Sequence, residues 1–231
     1  MEERIAAGLA AMGVPLPSPA APAMLARYGQ LLLEKNQVMN LTAITEPAAV
    51  AQLHFLDCIA LLDFADFRGK RVVDVGCGAG FPGVPLKIAE PAIRLTLLDS
   101  LAKRMHWLGT VLPQLGVEAA CVTARAEEYV SGCRGQYDIA VSRAVARLNV
   151  LCELCLPYVR VGGQFIAMKG ALAAQEAEEA AHAVQALGGK LLRIESYPVA
   201  DATHCAVVIE KCRPTPPAYP RPFAKIKKNP L

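Results

Sequence analysis

The run Asp74-Val75-Gly76-Cys77-Gly78-Ala79-Gly80 sets a carboxylate two residues ahead of three glycines at every second position. Glycines so spaced allow a tight turn and let a ligand lie against bare backbone. The pattern is not the dinucleotide one, because Phe81 stands where Gly-x-Gly-x-x-Gly needs its third glycine. A carboxylate beside the loop suits a ligand with a cationic or amino group better than a pyrophosphate. Asp99 closes the next apolar run. There it can accept ribose hydroxyls or cap the following helix. Loop and second acid together point to S-adenosylmethionine, with a nicotinamide or flavin nucleotide as the rival.

Further polar residues fall at the ends of later apolar runs. Ala126 and Glu127 follow the third. They can frame an adenine ring, or simply begin a helix with acids at its positive end. Arg143 ends the fourth run, Ser142-Arg143-Ala144. A cation there is costly unless paired, so it reads either as a cofactor and substrate contact or as a structural ion pair. Lys169-Gly170 ends the fifth. No Asn/Asp-Pro-Pro-Tyr/Phe signature follows the fourth run, and no Pro-Cys supplies a nucleophile. These absences permit methylation of a ring nitrogen such as guanine N7, which needs orientation and no general base.

Apolar runs at Arg71–Val75, Arg94–Leu98, Glu118–Val122, Tyr137–Ser142 and Gln164–Lys169 alternate with amphipathic segments. They predict buried parallel strands between helices. After a helix over about 172–187, Lys190–Val199 and His204–Lys211 read as a closing antiparallel pair. The fold class is therefore α/β, a mostly parallel doubly wound sheet with its ligand beyond the carboxyl ends of the strands. Helices are expected over 2–12, 21–39 and 47–62, separated by a Pro-rich stretch at 13–22 and a break at Asn40-Leu41-Thr42. This divides the chain into an N-terminal helical extension (1–66), a methyltransferase core (67–212) and a basic Pro-rich tail (213–231).

At 231 residues, 54% apolar and 19% charged, the chain is no disordered or acidic solvating segment. It has no run of 18 uninterrupted apolar residues, and Glu2 and Glu3 stand where a signal peptide wants positive charge. A cytoplasmic protein is expected. The net charge of +3 conceals a tail with five cations, no acid and six of the 17 prolines, so the rest of the chain stands at −2. Such a tail is expected to be non-helical and extended. It suits a polyanionic partner, or serves only solubility. Cys152 and Cys155 lie three apart in an apolar helical pattern with no second pair at zinc-site spacing. They read as core packing, and no metal is expected.

The sequence resembles the bacterial 16S rRNA guanine-N7 methyltransferases, the RsmG or glucose-inhibited division protein B family. The resemblance is carried by Asn40-Leu41-Thr42, His54-Phe55-Leu56-Asp57, the loop extended through Phe81-Pro82-Gly83-Val84-Pro85-Leu86, Leu97-Leu98-Asp99-Ser100, Arg125-Ala126-Glu127, Ser142-Arg143-Ala144, Lys169-Gly170 and the basic end from Arg221. It implies a Rossmann-like class I methyltransferase with an N-terminal helical extension. S-adenosylmethionine is the implied donor, and a guanosine in the 530 loop of 16S rRNA or the small ribosomal subunit the implied acceptor. By similarity Gly76, Phe81, Ala126, Glu127 and Arg143 contact the cofactor, joined by Gly78, Gly80 and Asp99 from the loop and ribose argument. Candidate RNA contacts are Asn40, His54, Arg125, Lys169, Arg221, Lys227 and Lys228, with packing an equal reading of His54. No catalytic base is expected, and Arg143 is the candidate for positioning. Leu53, Cys58, Ala224 and Ile226 depart from the residues usual in the family. The alternative is an S-adenosylmethionine-dependent enzyme acting on another RNA or a small molecule. A monomer is expected, with no membrane partner.

Overall fold

The computed structural model describes residues 1–13 and 18–231. Pro15 and Pro17 of the expected Pro-rich stretch lie outside the described residues. The strands are β1 (Arg71–Val75), β2 (Arg94–Asp99), β3 (Ala119–Thr123), β4 (Tyr137–Arg143), β5 (Val159–Lys169), β6 (Gly189–Val199) and β7 (Ala202–Lys211). They form one sheet in the order β3-β2-β1-β4-β5-β7-β6. Pairs among β1 to β5 are parallel, and β7 runs antiparallel to both β5 and β6. The strand order reverses between β1 and β4. That is where an open α/β sheet splays its loops apart and takes a ligand.

Each face of the sheet buries its own core. On one, Leu97, Ile139 and Val141 pack with Val84, Leu108, Tyr28 and Phe55. On the other, Val73, Ala140 and Phe165 pack with Leu151, Cys155, Val184 and Ile226. Cys152 and Cys155 are wholly buried in this second core. The N-terminal extension consists of Glu2–Met12, Ala21–Asn36 and a helical run over Pro47–Phe64. It has no core of its own. Ile5, Leu25 and Ile59 belong to the same apolar cluster as Leu97 of the sheet, so the change of pattern near residue 66 marks a change of element, not of core.

Pro47–Phe64 has the length and hydropathy of a bilayer span, but half of it is buried inside the protein and it carries the buried Asp57. The second helix stops at Asn36, short of the expected residue 39. The Asn36 carboxamide oxygen accepts the N–H groups of Leu41 and Thr42 at 2.8 and 3.0 Å and bends the chain away. The segment expected as one helix over 172–187 is two, Ala173–Glu179 and Ala181–Ala186.

The tail differs most from expectation. It contains a six-residue helix, Phe223–Lys228, which begins immediately after Pro222. The prolines forbid helix only as far as Pro222, where a fixed φ is compatible with a helix start. Nor is the tail free in solvent. Ile226 is fully buried, and Arg221 is bound to Glu153 of the helix Leu148–Cys155.

Candidate active site

Past β1 the chain swings toward β2. The N–H groups of Gly76 and Cys77 both donate to the carbonyl of Leu98, at 2.8 and 3.1 Å. Gly78 then donates to Asp99 Oδ2 at 2.9 Å. Gly76 adopts φ +73°, a left-handed backbone that disfavours any side chain. A Cβ there would also lie 2.5 Å from Val145. Val145 reaches this position because Ala144, at the end of β4, itself turns through φ +56°. The loops after β1 and β4 are thus in direct contact, and only bare backbone fits between them.

Asp99 closes the floor. Its Oδ1 accepts the N–H of Leu101 at 2.8 Å, and Arg104 Nη1 stands 3.8 Å from Oδ2. Asp99 thereby holds Leu101, the residue ahead of the next helix, and does not cap that helix by a bond to its first turn. It also faces a cleft of about 370 Å³ whose lining includes Gly76, Asp99, Ala126, Glu127, Val145 and Phe223. The short helix from Ala126 is fixed from behind, where Tyr158 donates its hydroxyl to the Ala126 carbonyl at 2.6 Å. Glu127 pairs with Arg125 at 3.7 Å.

Asp74 does not reach this cleft, contrary to its reading as a ligand-facing carboxylate. It is fully buried under the loop, where Oδ2 accepts the Gly83 N–H at 2.7 Å at the head of the following helix. Its Oδ1 has no partner among the described residues. Burial pushes its pKa up to about 7 against the pull of the Gly83 N–H.

A second cluster sits beside the cleft, on the side of the N-terminal extension. The run Pro47–Phe64 includes a π-helical turn at Ala51–Leu56, which turns the Leu53 carbonyl, the His54 ring and the Asp57 carboxylate toward β4. Arg143 meets all three. Nη1 lies 3.0 Å from the Leu53 carbonyl and 3.2 Å from Asp57 Oδ2, and Nη2 lies 2.9 Å from His54 Nδ1. Tyr197 donates to Asp57 Oδ1 at 3.0 Å, with His204 Nδ1 at 2.9 Å from the same oxygen. Guanidinium can only donate, so His54 Nδ1 is an acceptor and the ring is neutral with its proton on Nε2, 2.7 Å from Thr42 Oγ1. Burial, reinforced by the Arg143 charge, lowers the His54 pKa to about 4. Phe81 covers the cluster, its ring centroid 4.4 Å from that of His54 and its ring 4.9 Å from the Arg143 guanidinium carbon.

The expected site residues thus divide. Gly76, Asp99, Ala126 and Glu127 line the cleft, and Gly78 holds its floor. Gly80 is buried beneath the loop, where a Cβ would strike Val84 and the Tyr28 hydroxyl. Phe81 and Arg143 belong to the neighbouring buried cluster and do not line the cleft.

Of the candidate RNA contacts, Asn40, Arg125, Lys227 and Lys228 are exposed. His54 is buried with both ring nitrogens engaged, which favours its packing reading. Lys169 Nζ is committed at 2.7 Å to both the Ala146 carbonyl and Glu176. Arg221 is committed to Glu153 at 2.8 and 2.6 Å. A sequence shows a charge and not its partner, and both of these cations have theirs within the protein. Tyr197 and His204, which hold Asp57, are not among the expected site residues. They carry no spacing signal, since they meet Asp57 only across separate elements.

Residues 22–203 match the family described as rRNA small subunit methyltransferase G. Ribosomal RNA small subunit methyltransferase G of Clostridium tetani is 45% identical over 211 residues, covering 89% of this chain and 88% of that protein. The protein of the same name from Alkaliphilus metalliredigens is 46% identical over 213 residues, covering 90% and 89%. Among solved structures, the mitomycin 7-O-methyltransferase superposes with a TM-score of 0.58 at 15% identity, covering 80% of this chain and 60% of that one, a likeness of fold.

Proposed function

The chain belongs to the rRNA small subunit methyltransferase G family and is an S-adenosylmethionine-dependent 16S rRNA methyltransferase; from this premise we propose that it methylates N7 of a guanosine in the 530 loop, using the cleft beyond β1 to β4. The observation that carries the assignment is the pairing of a side-chain-free loop with a carboxylate floor. The bare backbone that Gly76 presents to the cleft, and Asp99 on the cleft's floor, fit a nucleoside-bearing cofactor. Gly76 and Gly78 would lie against it, Asp99 would accept its ribose hydroxyls, and Ala126 and Glu127 would flank its base. Bound there, S-adenosylmethionine supplies an electrophilic methyl group.

What the protein must add is orientation. A guanine N7 carries a free lone pair and no proton, so methyl transfer to it leaves nothing for a base to remove. The arrangement around the cleft agrees. His54 is neutral with both nitrogens occupied, and Asp57 is shared among Arg143, Tyr197 and His204. Arg143 and Phe81 build the wall between cofactor loop and N-terminal extension, and position the acceptor without exchanging protons with it. Exposed Lys225, Lys227 and Lys228 near the cleft suit an RNA backbone and give a small-molecule substrate no reason for them. The enzyme would act in the cytoplasm, as a monomer. Nucleoside analysis of methylated small-subunit RNA should show 7-methylguanosine only, and the pH profile of the chemical step should lack a rising limb near neutrality. An N2-methylguanosine product would refute the acceptor assignment.

A further inference from the structure

The C-terminal tail enters the cofactor cleft. Phe223 lines the cleft at its β3 end, together with Ala126, Glu127 and Leu154. The Arg125 guanidinium carbon stands 5.8 Å from the Phe223 ring centroid. Nothing about this placement is loose. Arg221, two residues earlier, clasps Glu153 by its backbone N–H, Nε and Nη2, at 2.8, 2.8 and 2.6 Å, and the Glu153 side chain is wholly inaccessible. Arg134 Nη2 donates to the Tyr219 carbonyl at 2.6 Å. Ile226, one turn beyond Phe223, is fully buried in the core beneath. Phe223 is therefore fixed on both sides, only partly covered, and part of the cleft lining.

Resting on the cofactor reading above, we infer that the tail is a wall of the S-adenosylmethionine site, with Phe223 packing against the adenine ring. The geometry follows from the floor. Asp99 at the end of β2 fixes the ribose, so the base extends toward the end of β3, beside Ala126 and Glu127. That is the stretch of lining to which Phe223 belongs. An aromatic side chain there offers a flat apolar surface to a flat heteroaromatic ring, an arrangement favoured beyond simple area burial. The tail is thereby part of the small-molecule site, and not only a strip of charge for RNA.

The test is calorimetric titration of the full-length protein with S-adenosylhomocysteine and with 5′-methylthioadenosine, which keeps the adenine and ribose but lacks the amino acid. Phe223→Ala should weaken both about tenfold or more without lowering the melting temperature appreciably, and Phe223→Tyr should restore most of the affinity. Wild-type affinity in Phe223→Ala would overturn the inference. So would a loss seen with S-adenosylhomocysteine alone, since the contact would then not be with the ring. If Phe223→Ala unfolds, Phe223→Leu, which fills the same space without an aromatic face, decides the matter: affinity equal to wild type would overturn the inference and an intermediate loss would support it. Absence of binding by the wild-type protein would instead refute the cofactor reading and this inference with it.

Discussion

Gly76 answers two demands, a left-handed φ and the presence of Val145 where its Cβ would be. Gly76→Val should therefore damage the loop, and Asp99→Ala should remove both a cleft-facing acceptor and the anchor of Gly78. Each should weaken S-adenosylhomocysteine binding by about 1–3 kcal/mol, measured by calorimetry on folded variants. Arg143→Lys keeps the charge but cannot reach Leu53, His54 and Asp57 together. Turnover should fall steeply while cofactor affinity changes little, because Arg143 lies outside the cleft. His54 has a further signature. Its folded pKa, about 4, lies below the ordinary 6.5. Between these values the unfolded chain binds more protons, so the His54 contribution to stability is present above pH 6.5 and is lost as pH falls toward 4. Asp74 runs the opposite way, its raised folded pKa favouring the fold below about pH 4 and losing that effect as pH rises through 7. Denaturation of His54→Gln at several pH values should show the variant gaining on wild type as pH falls from 7 to 4.

At the level of elements, the decisive fact is that the tail is built into the body. Glu153 is wholly buried, and Arg221 is its charge partner. Arg221→Ala leaves a buried carboxylate without compensation, which costs about 3–5 kcal/mol and should appear as a lowered melting temperature. The double variant Arg221→Gln/Glu153→Gln should be less destabilised than the two single changes together, because it removes both charges. Deleting 213–231 would also withdraw Thr215 from the buried Lys211, whose pKa burial lowers to about 7. Such a truncation should lose stability and cofactor affinity together. A tail devoted to phosphate contacts alone would spare the cofactor.

Across the whole molecule, the basic tail offers RNA fewer free cations than its composition suggests. Arg221 is spent inside, and Arg213 donates to the Gln185 carbonyl. Lys225, Lys227 and Lys228 remain exposed on one short helix, whose first residue, Phe223, lines the cleft. Three phosphate contacts on single-stranded RNA correspond to a salt slope of about −2. Replacing these three lysines by alanine should flatten the slope of RNA binding by about that amount and leave the melting temperature close to wild type. An unchanged slope would place the RNA contacts elsewhere. The helix that carries these lysines also carries Phe223, so on this reading bound RNA and bound cofactor would share one element.

The strands, their parallel alternation and the cofactor loop were legible in the sequence because each is written locally. Buried parallel strands read as apolar runs, and a side-chain-free turn requires glycine wherever it occurs. The place of Asp99 at the end of the second strand was legible for the same reason, since that strand's end has a fixed place relative to the loop. What a charge meets is not local. Arg143 and Asp57 are 86 residues apart, and Arg221 and Glu153 are 68 apart. Only folding decided that the first pair closes against the N-terminal extension and the second clips the tail. Ile226 is fully buried and anchors the tail helix. Asp74 was misread because the sequence shows a carboxylate beside a loop, while the turn of the backbone sends that carboxylate underneath, to the Gly83 N–H. The kind of cofactor follows from residues a few positions apart. Which residues surround it follows from the packing of segments distant in the chain, because burial and pairing are properties of the tertiary structure.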